Sequence, residues 1–129
     1  MQTVPTETAQ VLVIDDNDVV RSSIARLLET AGMSVISAPT AIGASRTMLR
    51  SHVKVAVVDL DMPEMRGSAL VELLRKHPKL ADIGVVIISG VPAEELVSAA
   101  ASSGADAAVS KLDMHETLVP IVSRLLRKR

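Results

Sequence analysis

Short aliphatic runs alternate along the whole chain with stretches whose apolar residues recur at helical spacing. Val11–Ile14, Met33–Ala38, Val53–Val58, Ile83–Ile88 and Ala107–Ser110 read as strands. The third run is broken only by Lys54, as expected for a strand covered on both faces. Between them, Asn17–Glu29 places Val20, Ile24, Leu27 and Leu28 on one helical face, with Asp16 or Asn17 suited to cap it and Ala31-Gly32 to end it. Thr40–Leu49 forms a second helix that starts near Pro39 or Thr40 and is weakened by Gly43. Ser68–Lys76 is a third helix, stopped ahead of Pro78. Pro92–Ser103 is a fourth, with Pro92 in its first turn and Gly104 just past its end. Met114–Arg127 is the last, and Pro120 is expected to kink or interrupt it. Strands separated by helices of about ten residues predict right-handed crossovers and an α/β, doubly wound parallel sheet.

Length and composition narrow this picture. At 129 residues the chain has the size of one domain, and no repeat or linker divides it. Fourteen basic and fifteen acidic residues nearly cancel, so there is no electrostatic footprint for direct nucleic-acid or membrane binding. Without cysteine, disulfides and thiolate metal sites are excluded. The longest apolar runs fall far short of the roughly 20 residues of a membrane span. Residues 1–10 are polar and lack the apolar core of a signal peptide, so they are expected to be a flexible segment ahead of a domain over 11–129, in a cytoplasmic protein. Phe, Tyr and Trp are all absent, which leaves Met33, Met48, Met62, Met65 and Met114 to take up volume that rings often fill.

The candidate chemistry lies where the strands stop. The first run ends in Asp15-Asp16, the third in Asp59, the fourth in Ser89 and the fifth runs into Lys111. In one parallel sheet these groups converge at the C-terminal edge, where open α/β sheets bind ligands. Carboxylates, a hydroxyl and an ammonium together suit a divalent cation and a phosphoryl group. Mg²⁺ takes oxygen ligands and keeps several waters, so one or two carboxylates suffice. Asp59 can share such an ion and still present an oxygen as nucleophile, forming an aspartyl phosphate. Lys111 and the Ser89 hydroxyl can offset charge on the transferred oxygens.

Asp15-Asp16, the run Asp59-Leu60-Asp61-Met62-Pro63-Glu64-Met65-Arg66-Gly67, Ser89-Gly90, Gly104-Ala105-Asp106-Ala107 and Lys111 occur in an order that resembles the receiver domain of two-component response regulators. The resemblance runs from Val11 to Leu126. It implies a flavodoxin-like (βα)5 sheet in strand order 2-1-3-4-5. It implies that Asp59 is the phosphoacceptor, that Asp15 and Asp16 bind Mg²⁺ with the backbone carbonyl of Asp61, and that Ser89 and Lys111 contact the phosphoryl group. The implied donor is a phosphohistidine on a sensor histidine kinase or phosphotransfer protein, and hydrolysis resets the switch. The implied output surface is the fourth helix, fifth strand and fifth helix, on a monomer or weak homodimer that is not an enzyme beyond its own phosphorylation and dephosphorylation.

Two positions depart from that pattern. The family commonly has Tyr or Phe three residues before the lysine, where this chain has Ala108. A weakened or altered switch is the expectation. The lysine is usually followed by proline through a cis bond; here Leu112 follows, and because a cis bond without proline costs about 2.5–4 kcal/mol, a trans bond is expected. Asp61 flanks the path of a hydrolytic water and either orients it or adds repulsion, while Val91 shields. His52, His77 and His115 are scattered, as surface or helix-end residues are. Arg124, Arg127, Lys128 and Arg129 suit a solvated helix end or the start of a linker to an output domain. Two other readings of the same residues stay open here. One is a receiver-like module that works without phosphorylation. The other is a haloacid-dehalogenase-like phosphatase built on Asp59-Leu60-Asp61, against which stand Pro63, the upstream Asp pair and the short chain.

Overall fold

The computed structural model describes residues 10–61 and 67–128. The expected flexible segment, apart from Gln10, and Met62, Met65 and Arg129 lie outside the described residues. Alternation of strand and helix is complete: β1 (Val11–Ile14), α1 (Asp18–Thr30), β2 (Val35–Ala38), α2 (Ala44–Ser51), β3 (Val55–Asp59), α3 (Gly67–Lys76), β4 (Gly84–Ser89), α4 (Ala93–Ser103), β5 (Ala107–Ser110) and α5 (Met114–Lys128). The five strands form one sheet in the order β2-β1-β3-β4-β5, and every pairing is parallel. This is the flavodoxin-like order, and its switch point falls between β1 and β3.

The aliphatic runs become the middle of the molecule because both faces of β1, β3 and β4 are covered. Side chains alternate strictly between two cores. Leu12, Ile14, Ala56, Val58, Val85 and Ile87 pack with Met48 of α2 and Leu70, Val71 and Leu74 of α3. Val11, Val13, Val55, Val57, Val86 and Ile88 pack with Ile24 and Leu28 of α1 and Met114, Leu118, Val122 and Leu125 of α5. Met33, Met48 and Met114 are all buried, so the methionines within the described residues do fill core volume. Gly84 lets α5 lie close on the sheet, since a Cβ there would meet Leu125 Cβ and Val55 Cγ2, each at 3.3 Å.

Local signals set most helix ends. The Asn17 side chain accepts the Val20 amide at 3.0 Å and caps α1. Gly104, at φ 87°, ends α4 in the left-handed region that favours glycine. Two expectations need correction. The second helix does not begin near Thr40: the Thr40 hydroxyl accepts the Ile42 amide in a tight turn, and Gly43, at φ 77°, becomes the cap from which α2 starts at Ala44. Nor does Pro120 interrupt the last helix, which runs from Met114 to Lys128. Proline removes one amide donor. Pro120 and Glu116 both lie on the exposed side, so the carbonyl that loses its partner faces water, while buried Leu118, Val122 and Leu125 hold the helix on either side. No described helix is long and apolar enough to cross a membrane.

Candidate functional site

Register brings the strand-end residues together. β1 and β3 align Ile14 with Val58, so Asp15 and Asp59 leave the sheet side by side at the switch point. β3 aligns Asp59 with Ile88, one residue before Ser89, and Ser89 pairs with Ser110, one residue before Lys111. The Lys111 amide then donates to the Ser89 carbonyl at 2.7 Å, tying β5 to β4 at the rim.

Asp15 and Asp59 are buried, Asp16 is exposed, and a carboxylate oxygen from each of the three lies within 4.8 Å of the others. The Lys111 ammonium sits between the buried pair, 3.2 Å from Asp15 Oδ2 and 3.4 Å from Asp59 Oδ1. Backbone amides aim the carboxylates: the Asn17 N–H donates to Asp15 Oδ1 at 2.9 Å and the Asp61 N–H to Asp59 Oδ1 at 3.0 Å. On the other flank, the Ser89 hydroxyl donates to Asp61 Oδ2 at 2.9 Å. The Lys111–Leu112 bond is trans, as expected, and no described peptide bond is cis. Ala108 is half-buried against the core on the α2, α3 and α4 side. No histidine joins the acidic cluster among the described residues. A surface hollow of about 460 Å³ lies near Met48, His52, Val53 and Ile83, residues that precede or lie below the strands, far from this chemistry.

The carboxylate set fits a hard divalent cation. Asp15 Oδ2 is buried and accepts no hydrogen bond from the described residues; the nearby ammonium is at ion-pair distance without the alignment of a hydrogen bond. A lone pair left in that way, beside two more carboxylates and with Asp16 open to solvent, is the donor set Mg²⁺ prefers. Arg21 supports the site from α1 and was not foreseen from the sequence. Its guanidinium donates to the Asp15 carbonyl at 2.9 Å and pairs with Asp18 at 2.6 Å. The spacing of Asp18 and Arg21 along one helix face was the available signal.

Burial pushes the Asp59 carboxyl above its ordinary range; the Asp61 amide opposes this, the Asp15 charge adds to it, and Lys111 opposes it without cancelling it. Burial works against charge on Lys111 too, but Asp59 and Asp15 outweigh it and hold the ammonium above its usual range. A raised carboxyl pKa means that the folded state keeps a proton the unfolded chain has released. Asp59 therefore favours folding at pH below its unfolded value of about 4, and that contribution is lost as pH rises through its folded value. In metal-free solution, Asp59→Asn should be more stable than the wild type at pH 7, with a gap that narrows toward pH 4. Urea unfolding in chelator across that range measures it, and a gap independent of pH would contradict the assignment.

A twisted parallel sheet in this order, with carboxylates at its switch point and a lysine from its last strand reaching between them, defines a narrow class of α/β proteins. Residues 11–123 match the response regulator receiver domain, and the chain belongs to that family of two-component signalling modules. It is 31% identical over 120 residues to the transcriptional regulatory protein PrrA of Mycobacterium bovis, covering 93% of this chain and 51% of that protein. It is 29% identical over 120 residues to a cyclic di-GMP phosphodiesterase of Thermotoga maritima, covering 92% of this chain and 31% of that protein. The chain thus spans about half the length of the first of these relatives and about a third of the second. Among solved structures, the Francisella response regulator 1452 receiver domain superposes with a TM-score of 0.81 at 26% identity, covering 93% of this chain and 98% of that one. Membership in this family gives Asp59-Leu60-Asp61 its context and leaves the dehalogenase-like reading without support.

Proposed function

We propose that Asp59 accepts a phosphoryl group from a phosphohistidine on a sensor kinase or phosphotransfer protein, and that the domain signals through a partner or output domain. One observation carries this reading: a buried carboxylate at the switch point, 3.4 Å from a lysine ammonium and grouped with two further aspartates. In the transfer, an Asp59 oxygen forms the new bond to phosphorus while the donor's P–N bond breaks and the imidazole departs. Lys111 holds the Asp59 oxygen and meets charge on the incoming phosphoryl oxygens. Asp15 and Asp16, with the Asp61 carbonyl, would hold Mg²⁺, which when bound supplies positive charge against those oxygens. Ser89 donates its hydroxyl proton to one of them. Water later attacks phosphorus, releasing inorganic phosphate and restoring the carboxylate.

The face of α4, β5 and α5 is the proposed output surface, in a cytoplasmic monomer or weak homodimer. Because Ala108 supplies no ring, the response of that face rests on Ser89 and on backbone shifts. The deciding experiment is incubation with Mg²⁺ and a small acyl phosphate, followed by intact mass. One phosphoryl adduct is expected in the wild type and none in Asp59→Asn. If neither the small donor nor a sensor kinase modifies Asp59, a phosphorylation-independent interaction module replaces this reading.

A further inference from the structure

The Ser89 hydroxyl is already engaged. Ser89 closes β4 with 1% of its surface exposed, so few groups can reach its side chain. Its Oγ donates to Asp61 Oδ2 at 2.9 Å, and the Gly90 amide reaches the same carboxylate oxygen at 3.4 Å. Asp61 is itself anchored through its backbone, whose N–H donates to Asp59 Oδ1 at 3.0 Å. The residue therefore touches the acceptor with its main chain and the serine with its side chain.

A serine hydroxyl carries a single proton. Donated to a carboxylate, it makes a charge-assisted bond, stronger than one to a neutral acceptor. A phosphoryl oxygen on Asp59 needs that same proton. We propose that the Asp61 carboxylate is a latch: it occupies the Ser89 hydroxyl in the resting state, and a phosphoryl group must displace it to engage that donor. This rests on the phosphoryl-acceptor reading above and assigns Asp61 as a positioning residue acting through Ser89. Release is sterically open. Asp61 is exposed, and among the described residues a Cβ placed on Gly90 would meet nothing within 4 Å, so the carboxylate can swing away without unpacking the core. Displacement then costs one charged hydrogen bond and the approach of two anions.

The latch and simple charge repulsion make different predictions. Repulsion from Asp61 acts whether or not residue 89 has a hydroxyl; the latch acts only through it. Beryllofluoride with Mg²⁺ serves as the phosphoryl stand-in, with binding measured by calorimetry on the full chain. Asp61→Ala should bind it about tenfold more tightly than the wild type, the scale of one charged hydrogen bond. In the Ser89→Ala background, Asp61→Ala should give no gain. Equal binding by wild type and Asp61→Ala would overturn the latch while leaving the acceptor site intact. A gain that persists without the hydroxyl would assign the effect to repulsion and overturn it as well. Failure of all four proteins to bind would overturn the acceptor reading along with the latch. A readout without metal completes the test: the Ser89 β-proton couplings should report one side-chain rotamer in the wild type and averaging in Asp61→Ala.

Discussion

Lys111→Met is expected to lose about 3–5 kcal/mol of stability at neutral pH in chelator, the usual cost of removing one partner from a buried charge set. The ammonium lies 3.2 Å from Asp15 Oδ2 and 3.4 Å from Asp59 Oδ1, and both carboxylates are buried. Methionine keeps the length of the side chain and removes only the charge, leaving two buried anions facing each other. The loss should shrink in acid, because the Asp59 carboxyl, already raised by burial, takes up a proton and relieves the repulsion. It should also shrink with Mg²⁺, because the variant, freed of the competing ammonium, should bind the cation more tightly than the wild type and so gain more stability from it. Urea unfolding followed by far-ultraviolet circular dichroism suits a chain with no fluorescent ring. Wild-type stability in chelator at pH 7 would show that Lys111 does not offset these charges.

Arg75→Ala should cost about 3 kcal/mol, because one guanidinium closes the end of the sheet remote from the acidic cluster. From the last turn of α3, its Nε donates to the Gly104 carbonyl at 3.0 Å, and its Nη1 to the Ala81 and Ile83 carbonyls at 2.8 and 2.6 Å. Nη2 pairs with Asp106 Oδ2 at 2.9 Å, the same oxygen that takes the Val85 amide at 2.8 Å. The group thus binds the approach to β4 to the approach to β5. Alanine would strand several carbonyls at once. Arg75→Lys should recover less than half, since a single ammonium cannot span the planar fork that reaches all four oxygens. A denaturation midpoint within about 1 kcal/mol of wild type for Arg75→Ala would refute this role.

The two clamps differ in how far the sequence disclosed them. Lys111 could be placed because it follows a short apolar run, and a parallel sheet sends every such strand end to one edge. Asp15, Asp59 and Ser89 were legible for the same reason: a period of two residues and a fixed crossover hand leave few topologies. Asn17 and Gly104 were legible from their own chemistry as caps. Arg75 was not, because its partners are mostly backbone carbonyls, which every residue carries and no pattern marks. The Ser89–Asp61 contact was missed similarly: it joins the end of β4 to the turn after β3 across 28 positions. Pro120 misled because propensity counts the lost amide but not the buried side chains that hold the helix around it. Helix propensity marks Gly43 only as a weak helix residue, whereas its positive φ makes it the boundary.

The aromatic-free core bears on how motion leaves the site. A ring that flips between two rotamers is a discrete element, either in or out. Ala108 has no such alternatives, and the contact between the rim of β4 and the last loop is instead the main-chain bond from Lys111 N–H to the Ser89 carbonyl at 2.7 Å. Any displacement of Ser89 is handed directly to the residue that also grips the two buried aspartates. Under the proposed function, transmission through this backbone bond would be continuous, its output scaling with how far Ser89 moves. The site and its outlet would then act as a stiff linkage with a graded throw, in place of a toggle.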